Sequence, residues 1–150
     1  MLRKIREATQ DDRGFTLIEL MVVVLIIAIL IAIAIPTFLG LRERAQNRSA
    51  QSDVRNGLTA AKAFYTDNET FVGFTVTVAE GIEPSLDFNA TGNKTQVGIR
   101  VATVSDVMLT KQSDSNDWFC ARDQGGLSSV RGPGATEPAN MTACNNLPGI

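Results

Sequence analysis

Polar and apolar positions divide this chain into three regimes. Leu20 to Ile35 is uninterrupted apolar sequence, rich in Val, Ile and Leu. With Phe15 to Ile18 added, at 1.5 Å per residue, it reaches about 30 Å, close to a bilayer's hydrocarbon thickness. Beyond Gly40 and Leu41-Arg42-Glu43-Arg44 the pattern stays helical, with a narrower apolar face. Val54, Leu58, Ala61 and Tyr65 recur at spacings of four, three and four, one stripe of an amphipathic helix. The two regimes predict one helix from about residue 15 to residue 66, with Asp67-Asn68 as its stop signal. Gly57 costs that helix about 1 kcal/mol against alanine.

The third regime has the two-residue period of strands. Phe71, Phe74, Val76 and Val78 alternate as a short strand would. Glu83-Pro84-Ser85 and Ala90-Thr91-Gly92-Asn93 read as turns. Val97, Ile99 and Val101 alternate with Gly98, Arg100 and Ala102, and Val107–Thr110 and Trp118–Ala121 supply two more strands. Ser113 to Asp117 is a polar hairpin turn, with Trp118 and Phe119 on opposite faces of the strand that follows. Gln124 to Ile150 is Gly- and Pro-rich, hence irregular. The expected fold is α+β: a long helix, membrane-spanning then amphipathic, carrying a small antiparallel sheet that needs its apolar face covered.

Composition narrows the chemistry. The chain has 150 residues, enough for one domain once a membrane-length helix is set aside, and no histidine. That removes the commonest general base and metal ligand. The net charge of −2 gives no global lean toward nucleic acid. There is no glycine-rich phosphate loop or nucleophile elbow, and Asp114 and Asp117 lack a third ligand for calcium. A non-enzyme without cofactor or metal is expected. Cys120 and Cys144 lie beyond the apolar run; a disulfide fits a pair better than a metal site does, free thiols being the other reading. A disulfide implies an oxidising, extracytoplasmic compartment.

One ionisable group stands inside the apolar run. Glu19 lies near its start, just after Arg13-Gly14-Phe15-Thr16-Leu17-Ile18. A charge inside a membrane-length segment is costly and reads by default as functional. The residues before the junction include Arg3, Lys4, Arg6 and Arg13 but no apolar stretch. Cutting there would therefore keep the membrane segment, unlike an ordinary secretory signal. Arg42, Arg44 and Arg48 follow the apolar run soon after, so the positive-inside rule orients the helix by a slim margin.

The Gly-Phe-Thr-Leu-Ile-Glu core, extending to about Tyr65, resembles the class III signal of type IV pilins and the related pseudopilins. The resemblance implies a cytoplasmic leader at residues 1–14, removed by a prepilin peptidase that cuts between Gly14 and Phe15 and methylates the new amine. It implies a transmembrane and filament-core helix at 15–41 and a globular domain at 42–150. Glu19 would neutralise the amino terminus of an adjacent subunit, fixing axial register. Pro36 lacks an amide donor, so a kink or local unwinding is expected around Ala32–Pro36. The partners implied are identical or homologous subunits in a helical polymer, an inner-membrane assembly platform with a motor ATPase, and membrane lipid before assembly. The Cys120–Cys144 region looks like the disulfide-bounded part of pilins, generally on the filament exterior.

Arg44, Arg48, Arg55 and Lys62 form a second stripe within roughly 40° at 100° per residue. It is a solvated edge or meets acidic residues of a neighbouring subunit, with Glu80, Glu83 and Asp87 as first candidates; capture of DNA is a weaker option. The leading expectation is the major subunit of a type IV pilus, serving adhesion, twitching or DNA uptake. A pseudopilin of a type II secretion system shares the same first third. Outside the family stands a membrane-anchored surface binding protein, which leaves Glu19 without a role.

Overall fold

The computed structural model describes residues 14–150, so the leader expected at residues 1–14 lies, but for Gly14, outside the described residues. The chain forms two compact units, one ending at Gly40 and the other spanning Leu41–Ile150. Helix α1, Leu17–Asn68, supplies most of the first unit and the backbone of the second. Asn68 Nδ2 donates to the Phe64 carbonyl, and Glu69, at φ 55°, donates its N–H to Tyr65. Such a left-handed residue after the last turn is a usual helix terminator. The expected boundary therefore holds to within two residues.

In the first unit the large apolar side chains from Leu17 to Leu39 are exposed. The most apolar window of the helix has a mean hydropathy of 3.3 and none of it is buried within the chain. Residues 32–36 are all helical, so of the kink or local unwinding expected around Ala32–Pro36 the unwinding does not occur here. Proline cannot donate to the Ala32 carbonyl. One residue on, the Thr37 hydroxyl bonds back to the Ile33 carbonyl at 3.3 Å, a contact that favours a slight bend.

The second unit is an α+β fold with a five-stranded sheet in the order β1-β2-β3-β4-β5. The strands are β1 (Phe88–Asn89), β2 (Val97–Ala102), β3 (Asp106–Gln112), β4 (Trp118–Gln124) and β5 (Leu127–Gly134). All neighbours pair antiparallel except β1, which runs parallel to β2. Two short helices complete it, α2 (Val76–Ile82) and α3 (Met141–Asn145). One sheet face packs on α1. Ala50, Val54, Leu58, Ala60 and Ala61 meet Val97, Val107, Leu109, Phe119 and Ala121 in one buried cluster. Gly57 sits at the closest approach, where an added Cβ would lie 3.0 Å from Leu109 Cδ1 and 3.4 Å from Phe88 Cε1. Its poor helix propensity is exchanged for contact with the sheet.

Polar ties flank this apolar interface. Asn47 donates to Asp117 at 2.8 Å and accepts from Ser115 at 2.6 Å. Lys111, only 6 % exposed, pairs with Asp53 at 3.0 Å and donates to the Thr95 carbonyl at 2.9 Å. Burying an ammonium is tolerable only with such partners.

The opposite sheet face carries a smaller core. Met108, Cys120 and Cys144 are buried, with Val101, Met141 and Leu147 against them. The Cys120–Cys144 disulfide, Cα–Cα 6.1 Å, ties α3 and the C-terminal segment to β4.

Three strand expectations are corrected. Residues 76–82 are helical and Phe71–Phe74 form a turn, not a strand. Gly73 at φ 95° bends the chain between two buried phenylalanines, and the Phe71 N–H bonds the Thr103 and Val104 carbonyls in the turn between β2 and β3. Val101 does not share a face with Val97 and Ile99. A bulge between Ile99 and Val101 turns it toward the disulfide. The segment after Gln124 is not irregular throughout, because β5 extends the sheet. Gly125 and Gly126, at φ 58° and 86°, form the tight turn that two positive φ values allow. Pro133 is tolerated because β5 is an edge strand. Of the aromatic pair, Phe119 is fully buried on the α1 side and Trp118 is half-buried.

Candidate functional site: the amino-terminal end of the apolar helix

Gly14, Phe15 and Thr16 precede α1 in non-helical conformation, and Phe15 is 85 % exposed. The first turn is closed by a reciprocal pair. The Glu19 N–H donates to Thr16 Oγ1 at 3.2 Å, while Glu19 Oε2 accepts from the Thr16 N–H at 2.9 Å and from Thr16 Oγ1 at 2.7 Å. Thr16 and Glu19 thus form a capping box, satisfying two backbone donors that the helix leaves open. In hydrocarbon each unsatisfied donor costs several kcal/mol, so such a cap would count for more in a membrane than in water. The carboxylate also lies at the positive end of the helix dipole.

From sequence, Glu19 takes a partner on another molecule and Thr16 is overlooked. The signal was present, since Thr-x-x-Glu before an apolar run is a capping-box pattern. Only Oε2 is engaged within the chain; Oε1 makes no hydrogen bond among the described residues. An acceptor is left on a carboxylate held in one place, suited to a cationic donor brought from elsewhere.

The basic stripe does not act as one unit. Arg44, Arg48 and Arg55 are exposed and make no ion pair among the described residues. Lys62 pairs with Asp123 of β4 at 3.2 Å, so it belongs to the domain's own structure. Burial would raise the Asp123 pKa, but bonds from the Ser128 hydroxyl, Lys62 and the Gly126 N–H outweigh it and hold the carboxyl below its ordinary value. Of the acidic candidates, Glu80 accepts the Phe88 N–H at 3.3 Å and Glu83 accepts from the Ser85 hydroxyl, while Asp87 is exposed with no ion pair among the described residues. A second carboxylate missed from sequence is Glu137, which accepts from Gly92 N–H and Thr110 Oγ1 at 3.0 and 2.8 Å. It fastens the C-terminal segment to the sheet.

Residues 10–35 match the prokaryotic N-terminal methylation motif, which spans Gly14, Phe15 and Glu19. The chain is 44 % identical over 63 residues to the "Type IV major pilin protein PilA" of Myxococcus xanthus, covering 42 % of this chain and 29 % of that protein. It is 36 % identical over 80 residues to the "Type II secretion system core protein G" of Escherichia coli, covering 53 % of this chain and 52 % of that one. Against the "Type IV wide pilus major component PilA4" of Thermus thermophilus it is 29 % identical over 119 residues, 79 % and 87 % of the two chains. The chain thus spans about a third and a half of the first two relatives. Taken with the long apolar helix and the disulfide-closed sheet domain, these findings make the chain similar to the type IV pilin-like class. Its relatives fall on both branches of that class, type IV pilins and type II secretion pseudopilins.

Proposed function

We propose that the chain is the major structural subunit of a type IV pilus. Prepilin peptidase cuts between Gly14 and Phe15 and methylates the new amine. The apolar helix holds the subunit in the cytoplasmic membrane, with residues 42–150 outside. On extraction by an assembly platform and its motor ATPase, the helices of identical or homologous subunits bundle as the filament core. Glu19 receives the amino terminus of the adjacent subunit, and the sheet domains form the shell. Adhesion, twitching or DNA uptake are then properties of the polymer.

The observation that supports this reading most is the position of Glu19. Its carboxylate is fixed by Thr16 at the start of a fully exposed apolar helix, with one oxygen still able to accept. A plain anchor would use that carboxylate only as a helix cap and leave Oε1 idle, whereas a bundle in low dielectric gains from pairing the charge with an opposite one. The pseudopilin reading draws on the similarity to the Escherichia coli core protein G. Fibres sheared from cells and analysed by mass spectrometry test the proposal. A dominant chain beginning at methylated Phe15 in thin fibres is expected; a chain that keeps residues 1–14 overturns it.

A further inference from the structure

We infer that the end of the second unit where α1 stops is a docking surface for another copy of this chain, which brings the Leu41–Arg48 stretch of its own helix there. The inference rests on the filament reading and names a contact within it.

Three segments converge at this end. The Phe71 N–H donates to the carbonyls of Thr103 (3.1 Å) and Val104 (3.4 Å), and the Gly125 N–H donates to that of Ser105 at 3.3 Å. Between them lies a cleft of about 380 Å³ lined by Lys62, Tyr65, Phe71, Ser105, Asp123 and Gly126. Beside it Val72, Val104 and Leu127 are 55 %, 66 % and 76 % exposed, and Tyr65 is 38 % exposed. Scattered apolar exposure is ordinary, but these four sit on segments that meet at one end. In the rest of this unit only Leu41, Ile82 and Ile150 are comparably exposed large apolar residues.

Charge identifies the occupant. Asp67 and Glu69 flank the apolar residues, exposed and without an ion pair among the described residues. The local cation, Lys62, is already held by Asp123. At the opposite end of the same unit Leu41 is 58 % exposed, followed by exposed Arg42, Arg44 and Arg48 with Glu43 as the one acid of this helix stretch. Of the nearby sheet-domain acids, Asp117 is bonded to Asn47 and Asp114 lines a cleft with Ala45 and Ser49. One end is thus apolar and acidic, the other apolar and basic. Two unlike, complementary patches on one chain make a heterologous contact, the kind that builds open polymers instead of closed dimers. At 1.5 Å per residue, a displacement of about 30–40 Å along the helix axis brings Arg44 and Arg48 level with Asp67 and Glu69. The acidic partner of the arginine stripe thereby moves from Glu80, Glu83 and Asp87 to the end of α1.

The test uses the full chain in cells that assemble it. Three variants are compared for sheared fibre yield and for membrane-held subunit with its disulfide formed: Leu127→Asp, Asp67→Arg/Glu69→Arg and Arg44→Glu/Arg48→Glu. Each should retain the membrane pool and lose fibres, and joining the two charge reversals in one chain should restore them. Wild-type yield from Leu127→Asp and from the acidic reversal overturns this surface and leaves the filament reading standing. So does a combined reversal that restores nothing. Absence of fibres from the wild-type chain overturns the filament reading and the surface with it.

Discussion

Reducing the Cys120–Cys144 bond should weaken the second unit by an amount set by the loop it closes. The two residues are separated by 24 positions. In the chain-entropy model a loop of that length restricts the unfolded chain by about 3.5 kcal/mol at 25 °C. Reduction leaves both sulfurs within the Met108, Met141, Val101 and Leu147 cluster, so little packing is lost with the cross-link. Serine at either position would add the cost of burying a hydroxyl, which makes reduction the cleaner perturbation. Trp118, the single tryptophan, lies two residues from Cys120 on β4 and reports unfolding of this unit by fluorescence. In urea titrations of the full chain in detergent, with a slope of about 1.5 kcal/mol/M, the midpoint should fall by about 2 M on reduction. The tail should loosen first, since the bonds from the Arg131 guanidinium to the Leu147 carbonyl and from the Gly132 N–H to the Pro148 carbonyl depend on its position. A fall of less than about 0.5 M would refute the entropic argument.

Gly57→Val should destabilise the second unit by about 1–3 kcal/mol in the same titration, through crowding against Leu109, Phe88 and Val97; an unchanged midpoint contradicts the close approach. Asp123 has a depressed pKa, so its bonds to Ser128, Lys62 and Gly126 add stability that is full above the ordinary carboxylate range and is lost as pH falls through the folded value. Asp123→Asn should therefore lower stability at neutral pH and flatten its decline below about pH 4; parallel acid curves for the two proteins contradict this. Thr16→Val should reduce fibre yield with the subunit still in the membrane, and Thr16→Ser should restore it, because only a hydroxyl completes the bonds with Glu19. Equal yields from Val and Ser would leave Thr16 without a part in positioning Glu19.

Much of the fold was legible because it rests on strong local periodicity. The apolar run and the stripe from Val54 to Tyr65 define α1 almost to its ends, since a helix this long is specified many times over. The β2-β3-β4 meander followed from alternation and from a polar turn at Ser113–Asp117. β5 was missed because Leu-Ser-Ser-Val-Arg-Gly-Pro-Gly carries little apolar alternation; an edge strand is held mainly by backbone pairing with β4. The Gly125-Gly126 dipeptide was its overlooked sign. Residues 76–82 misled for the converse reason: a few apolar positions suit either period, and the two buried phenylalanines decide the local bend. At the site, Glu19 stood out because a charge in an apolar run is conspicuous. Lys62 was assigned to a stripe because its partner, Asp123, is distant in sequence and is brought to it only by the sheet.

The central claim is that the carboxylate at position 19 meets a positive amino end on another copy. Fibre yield from a Glu19→Leu chain, normalised to its membrane-held pool, tests that most directly. The account predicts a full membrane pool and few or no fibres. Normal fibres from that chain would contradict it.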